Sequence, residues 1–269
     1  MPVAGVLGWP VRHSRSPALH EAGYAALGLS GWRYQLLPVP PELFEETVRA
    51  LPAIGFVGCN VTIPHKQAAL ALADEATPRA RAIGAANTLT FADGRIEAEN
   101  TDAPGLIDAL PHDPAGARAL VLGAGGSARA AVWALLDAGA AEVMVWNRTR
   151  ARAESLCAEL GGRVVDVAEP ADLLVNTTSV GLQSGQDPFA ELPLERDGAD
   201  ALGGYPCVVD LVYGSVPTDL VLAARAAGAE VVDGLELLVR QGARSFERWT
   251  GQAPPLDVLR AAVRGVAAA

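Results

Sequence analysis

The sequence predicts an α/β protein of two domains, the first with a mostly parallel sheet and the second of the dinucleotide-binding Rossmann type. Three observations carry that prediction. Short β-branched runs alternate with amphipathic helical stretches from the start of the chain. The alternation closes on a strand–turn–strand pattern before residue 100 and then begins again. It restarts on ARALVLGAGG, a strand leading into a glycine-rich turn. At 269 residues the chain is long enough for two cores. With 50% hydrophobic and 19% charged residues, its composition is that of a globular protein.

The elements follow in order. VAGVLG is a strand, Ser16 and Pro17 open a helix, WRYQLLPV is the next strand, a helix follows Pro41, and FVGCNVTI is a third strand. NTLTF and RIEAE flank the turn ADG at 92–94, which predicts a hairpin closing the first unit. Helical periodicity from Ser127 and the strand AEVMVWN then complete a βαβ unit. DLLVNTT and CVVDLVY are further strands, and Ser184 to Gly204, rich in Gly, Asp and Pro, reads as a surface connection. The stretch from Gly234 to Ala267 reads as helices divided near Pro254 and Pro255.

Charge and cysteine content exclude several functions. A net charge of -10 argues against a nucleic-acid partner, which needs a basic face to displace phosphate counterions. The 3 cysteines, Cys59, Cys157 and Cys207, are far apart and lack CxxC spacing, so neither a disulfide framework nor a metal site is expected. A reducing cytoplasm fits. The opening MPVAGVLGWPVRHS has no basic start followed by a long apolar stretch, and no run reaches the roughly 18 apolar residues of a membrane span. Neither export nor a membrane partner is expected.

Gly123, Ala124, Gly125, Gly126 and Ser127 lie where a strand turns into a helix, so backbone N–H groups can approach a pyrophosphate, and Ala128 is small enough for helix and strand to pack. Taken alone, GxGGxA fits an ordinary βα turn equally well. The end of the following strand supplies context. An NAD site expects an acidic residue roughly 20 residues past the turn, whereas this strand ends in NRTRAR. Asn147, Arg148, Thr149, Arg150 and Arg152 place guanidinium groups there instead, poorly placed for a helix dipole but matched to phosphate. The cofactor implied is NADP.

NVTIPHK places Lys66 just past a strand end, and AENTDAPG places Asp102 at the boundary of the two domains. A lysine beside a carboxylate can serve as general acid and base in a carbonyl reduction. The residues by themselves favour plainer roles, a surface lysine and a helix N-cap two residues before Pro104. In HSRSP, Ser16 is a good N-cap, and Ser14 with Ser16 could also donate to a carboxylate. His13 is either a base or structural, and Asn87 in GAANTL either reads a hydroxyl or stabilises a turn.

Taken together, GWPVRHSRSPALH, NVTIPHK, GAANTL, NTDAPG, GAGGSARA, NRTRAR, NTTSVGL, DLVYGSVPTDL and DGLELLVRQGARSFERWTG resemble the shikimate dehydrogenase family in order along nearly the whole chain. The resemblance implies a cytoplasmic oxidoreductase that reversibly reduces 3-dehydroshikimate to shikimate with NADPH, toward chorismate and the aromatic amino acids. It implies a substrate-binding and catalytic domain of residues 1–102 plus 239–269, an NADP-binding domain of residues 103–238, and C-terminal helices returning to the first domain. Lys66 and Asp102 become the catalytic pair; Ser14, Ser16, Thr62, Asn87 and Gln241 hold the substrate, with Tyr213 close by. NADP would rest on the 123–130 turn, with Asn147, Arg148 and Thr149 meeting the ribose phosphate, Arg152 assisting, and Thr177 and Gly234 along the cofactor. The partners implied are small molecules only, in a monomer or homodimer.

The chain departs from the family pattern at Glu21, Ala98, Leu182 and Leu237, where Asn, Gly, Met and Met are usual. The two leucines bear on cofactor fit. Two rivals stand beside this reading: a paralogue of the same fold that oxidises quinate or uses NAD, and a non-catalytic ligand-binding protein that keeps the pocket.

Overall fold

The apolar runs become strands and the amphipathic stretches helices in a computed structural model that describes residues 1–183, 186–195 and 202–265. The chain divides into two compact units, Met1–Gly105 with Leu238–Ala269, and Leu106–Leu237.

In the first unit the order is β1 (Val3–Gly8), α1 (Ser16–Ala26), β2 (Arg33–Pro38), α2 (Phe44–Ala50), β3 (Phe56–Val61), α3 (Lys66–Leu72), β4 (Glu75–Ala76), α4 (Pro78–Ile83), β5 (Thr88–Ala92), β6 (Arg95–Glu99) and α5 (Asp102–Ala109). The sheet runs β2-β1-β3-β5-β6-β4. Three of its five pairings are parallel, as expected, and β5 lies antiparallel to both β3 and β6. The cause is the hairpin itself. Ala92 pairs with Arg95, leaving Asp93 and Gly94 as a two-residue turn with φ of 51° and 74°, the backbone a type I′ turn requires. One face of the sheet packs Leu7, Phe44, Val48, Phe56, Val61, Leu89 and Ile96 into a core. Val6, Tyr24, Tyr34 and Phe246 form a second, more aromatic one.

The second unit adds β7 (Arg118–Leu122), α6 (Gly126–Asp137), β8 (Glu142–Trp146), α7 (Arg150–Leu160), β9 (Arg163–Val164), β10 (Leu173–Asn176), α8 (Pro188–Glu191), β11 (Cys207–Asp210), α9 (Asp219–Ala226) and β12 (Glu230–Val232). Its sheet order is β12-β11-β10-β7-β8-β9 and every pairing is parallel. That is the doubly wound dinucleotide-binding order, with its switch point between β7 and β10. Part of the 184–204 connection, residues 184, 185 and 196–201, lies outside the described residues. The rest is not merely surface: Leu192, Leu194 and Leu202 are buried in the core that also holds Leu120, Leu174 and Val208.

The chain leaves the first unit within α5 and rejoins it within α10 (Gly234–Thr250), followed by α11 (Leu256–Arg264). Val239, Ala243 and Phe246 are buried at helical spacing along α10, which docks it on the first unit. The helices divide at Pro254 and Pro255 as expected; Ala267 lies outside the described residues. No helix among the described residues is long and apolar enough to cross a membrane.

Candidate active site

In the first unit the site grows from two strand ends. Past β3, the Thr62 amide donates to Leu7 O (2.9 Å) and the His65 amide to Thr62 O (2.9 Å), a turn that starts α3 at Lys66. Past β6, Asn100 does the capping: its Oδ1 accepts from the Ala103 amide (3.1 Å) and its Nδ2 donates to Ala85 O (2.9 Å). The Asp102 carboxylate is thereby left for other partners. Lys66 Nζ donates to Asp102 Oδ2 at 2.6 Å, and Asn87 Nδ2 donates to Asp102 Oδ1 at 2.8 Å.

The surface-lysine and N-cap roles are therefore not what these residues do. The side chains of Lys66 and Asp102 are only 11% and 13% exposed. A pair so withdrawn from water gains little net stability, since desolvation offsets much of its attraction. What the arrangement supplies is a proton-bearing nitrogen fixed in direction by a charge-assisted bond. Asn87 extends the set, with Nδ2 also within 2.9 Å of Thr101 Oγ1 and 3.2 Å of Gln241 Oε1. Gln241 Nε2 is bonded within its own helix, to Leu238 O at 2.9 Å.

Lys66, Asp102, Asn87 and Gln241 thus form one connected cluster. Ser14 and Ser16 form a separate pair: Ser14 Oγ donates to Ser16 Oγ (3.1 Å) and accepts from the Ser16 amide (3.2 Å). Ser16 is the first residue of α1 rather than its N-cap, which is Arg15. Thr62 is half-buried with its methyl against Gly8, where an added Cβ would come within 2.4 Å. His13 is exposed, and Tyr213 is half-buried in the second unit, after β11. Glu21 is structural, its Oε1 accepting from the Tyr34 amide at 2.8 Å.

Sequence reasoning missed two members. Thr101 is 2% exposed and its amide donates to Asn87 Oδ1 at 2.7 Å. Asn60 sits behind Asn87, accepting from Tyr34 Oη at 2.7 Å and donating to Thr88 Oγ1 at 3.3 Å. The signal available was a polar residue inside the otherwise apolar run FVGCNV.

In the second unit, Gly123 follows β7 directly with φ of 112°, its amide donating to Trp146 O at 2.7 Å. A Cβ there would lie 2.5 Å from Thr177 Oγ1, which itself donates to Leu122 O at 2.7 Å. Only glycine satisfies both the backbone and the space. Ala124 is half-buried. Gly125 caps α6 with nothing within 4 Å of where its Cβ would be, Gly126 and Ser127 form the first turn, and Ala128 is fully buried. The helix N-terminus thus opens on two glycines, with no side chain at Gly125 to keep a pyrophosphate from its backbone.

Asn147 Nδ2 donates to Thr149 O (2.9 Å), shaping the turn into α7. Of the arginines beside it, Arg150 is taken up by Glu154 and Asp166. Arg148 and Arg152 are exposed and form no ion pair among the described residues, so they fit a phosphate. Gly234 opens α10, where a Cβ would meet Leu211 O at 2.5 Å. Leu237 is buried in the apolar core and Leu182 half-buried.

Comparison with known proteins agrees in each segment. Residues 6–89 match the shikimate dehydrogenase substrate binding domain, 108–180 the shikimate / quinate 5-dehydrogenase family, and 234–264 the shikimate 5'-dehydrogenase C-terminal domain. The chain is 49% identical over 270 residues to the shikimate dehydrogenase (NADP(+)) of Paracoccus denitrificans (strain Pd 1222), covering 95% of this chain and 93% of that one. Among solved structures, it is similar to shikimate 5-dehydrogenase from Thermus thermophilus in complex with NADP(H) and shikimate, with TM-score 0.86, 41% identity, and 98% and 99% of the two chains covered. It is similar also to shikimate dehydrogenase from Aquifex aeolicus, with TM-score 0.88, 34% identity and 98% of each chain covered. On sequence along nearly its full length and on fold, the chain belongs to the shikimate dehydrogenase family.

Proposed function

We propose that this protein catalyses the reversible, NADPH-dependent reduction of 3-dehydroshikimate to shikimate, a cytoplasmic step toward chorismate and the aromatic amino acids, as a monomer or homodimer. The observation that carries the reading is the withdrawn Lys66–Asp102 pair at 2.6 Å in a member of this family. NADPH, when bound, supplies the hydride that reaches the ketone carbon. Lys66 gives its proton to the alkoxide developing on the ketone oxygen and recovers one from solvent; in the oxidation direction it accepts that proton. Asp102 holds the ammonium in place and accepts from a neighbouring substrate hydroxyl. Ser14 and Ser16 donate to the substrate carboxylate, and Thr62, Asn87 and Gln241 hold its hydroxyls, with Tyr213 close by.

We assign substrate binding to residues 1–102 with 239–269 and NADP binding to residues 103–238. Gly123, Ala124, Gly125, Gly126, Ser127 and Ala128 would receive the pyrophosphate, Thr177 and Gly234 lie along the cofactor, and Asn147, Arg148, Thr149 and Arg152 receive the ribose phosphate. With no acidic partner beside it among the described residues, Arg148 is expected to carry much of that contact. Arg148→Ala should raise KM for NADP+ roughly tenfold, the loss of one charged hydrogen bond, and leave KM for NAD+ unchanged. An equal effect on both coenzymes would place the phosphate elsewhere.

The test of the whole reading is steady-state oxidation of shikimate and of quinate, each with NADP+ and with NAD+, followed at the nicotinamide absorbance. The expected result is a strong preference for shikimate with NADP+. Turnover mainly with quinate or NAD+ would keep the catalytic pair and overturn the substrate or phosphate assignment; no turnover with any combination would overturn the enzyme reading.

A further inference from the structure

At the carboxyl ends of the second unit's strands sits a buried acid that the reaction does not use. Asp210 ends β11, is fully buried, and forms no ion pair among the described residues. An anion withdrawn from water without a counter-ion is costly unless donors surround it. Here three do: Asn176 Nδ2 (2.9 Å) and the Val212 amide (3.1 Å) donate to Oδ1, and Thr218 Oγ1 (2.6 Å) donates to Oδ2.

Each donor is the root of a loop. Asn176 ends β10 and is paired in register with Leu122 at the end of β7, so it stands at the switch point of the sheet. Its amide orientation is fixed from both sides. Nδ2 goes to Asp210, and Oδ1 is left to accept from the Thr178 amide (3.1 Å) and Thr178 Oγ1 (2.7 Å). Thr178 Oγ1 in turn accepts from the Val180 amide at 3.2 Å. The same short loop carries Thr177, which fills the space beside Gly123. On the other side, Thr218 caps α9 by accepting from the Val221 amide at 3.2 Å, which closes the 211–218 loop onto Asp210. A neutral asparagine could not repeat this pattern, because an acceptor-only group takes all three donors at once.

We propose that Asp210 is a positioning residue for cofactor binding: through Asn176 and Thr218 its carboxylate fixes the loops after β10 and β11 at the switch point where a dinucleotide is received. The inference rests on the NADP-dependent reading above. Its role is indirect, acting through Thr177 and Thr178 rather than by touching the cofactor.

The experiment is titration of NADP+ into the full-length protein by calorimetry, with the ligand-free unfolding midpoint measured alongside. Because Asp210→Ala leaves three buried donors unpaired, Thr218→Val and Thr178→Val are the working variants; each removes one end of the relay at nearly constant volume. Both are expected to raise the NADP+ Kd about five- to twentyfold, with Thr218→Ser restoring it to within about twofold. In steady state the same variants should raise KM for NADP+ by more than they lower kcat. Lowered unfolding midpoints with unchanged NADP+ affinity would make Asp210 purely structural and overturn the proposal. Wild-type protein that binds no NADP+ at all would overturn the functional reading and this inference with it.

Discussion

Replacing Lys66 with alanine is expected to lower kcat for shikimate oxidation roughly a thousandfold, the scale of a positioned general acid–base group, while KM changes only a few-fold. The geometry makes a sharper demand than loss of activity. Lys66 Nζ and Asp102 Oδ2 are 2.6 Å apart with both side chains largely out of water, so each is placed by the other. Asp102→Asn would turn an amide donor toward the ammonium, or turn its oxygen there and abandon the bond from Asn87, and a drop of about a hundredfold is expected. If the two groups act as a unit, the double variant Lys66→Ala with Asp102→Ala should be no slower than Lys66→Ala alone. Fully additive losses would mean that they serve separate steps. A Lys66→Ala protein that keeps a tenth of its turnover, with far-ultraviolet circular dichroism unchanged, would remove the lysine from the chemistry.

The ambiguity at Asp102 shows where sequence reading stops. A carboxylate two residues before Pro104 at the start of a helix looks like a cap from its neighbours alone. What decides otherwise is Asn100, whose bonds to Ala103 and Ala85 take over the capping and depend on where a turn of residue 85 has been folded. Asn87 and Gln241 meet across 154 positions of sequence, and no local pattern announces that. By contrast, apart from the edge strands β9 and β12, too short at 2 and 3 residues to show a pattern, the strands of the second unit are legible, because a parallel sheet buried on both faces writes its strands as continuous apolar runs. The stretch holding α3, β4 and α4 is not. Its run QAALALADEA is rich in alanine and gives little contrast between faces, although Thr77 before Pro78 is a readable cap, its Oγ1 accepting from the Ala80 amide at 3.2 Å. NRTRAR offers three arginines to a phosphate; the structure leaves two, because Glu154 and Asp166 lie within reach of Arg150.

Stability in acid is expected to depend strongly on His20. Its ring is 1% exposed, stacked on Tyr34 at 4.1 Å and 5° and flanked by Phe246 at 5.8 Å and Trp249 at 5.6 Å. Neither ring nitrogen has a hydrogen-bond partner among the described residues. Burial pushes its pKa down from 6.5 to about 3; the Asn60 side chain pulls the other way without making a bond of normal geometry. Between those values the unfolded chain binds a proton that the folded one refuses. Folding stability should therefore be lost as pH falls below about 6.5, at up to about 1.4 kcal/mol per pH unit. Asp210 has the opposite sign. Its pKa is raised from 3.8 to about 6, chiefly by burial, so the folded state takes up the proton first and gains stability as pH falls through that window. The two groups lie in different units and partly cancel only if the chain unfolds as one. The difference between wild type and His20→Phe, which keeps the stacking and cannot titrate, isolates the histidine. In urea unfolding from pH 6 to pH 4 that difference is expected to shift steadily in favour of the variant, by about 1.4 kcal/mol per unit at most. A difference that stays constant across the range would mean that His20 is protonated in the folded protein and that its aromatic cage accommodates the charge, as a cation held against ring faces.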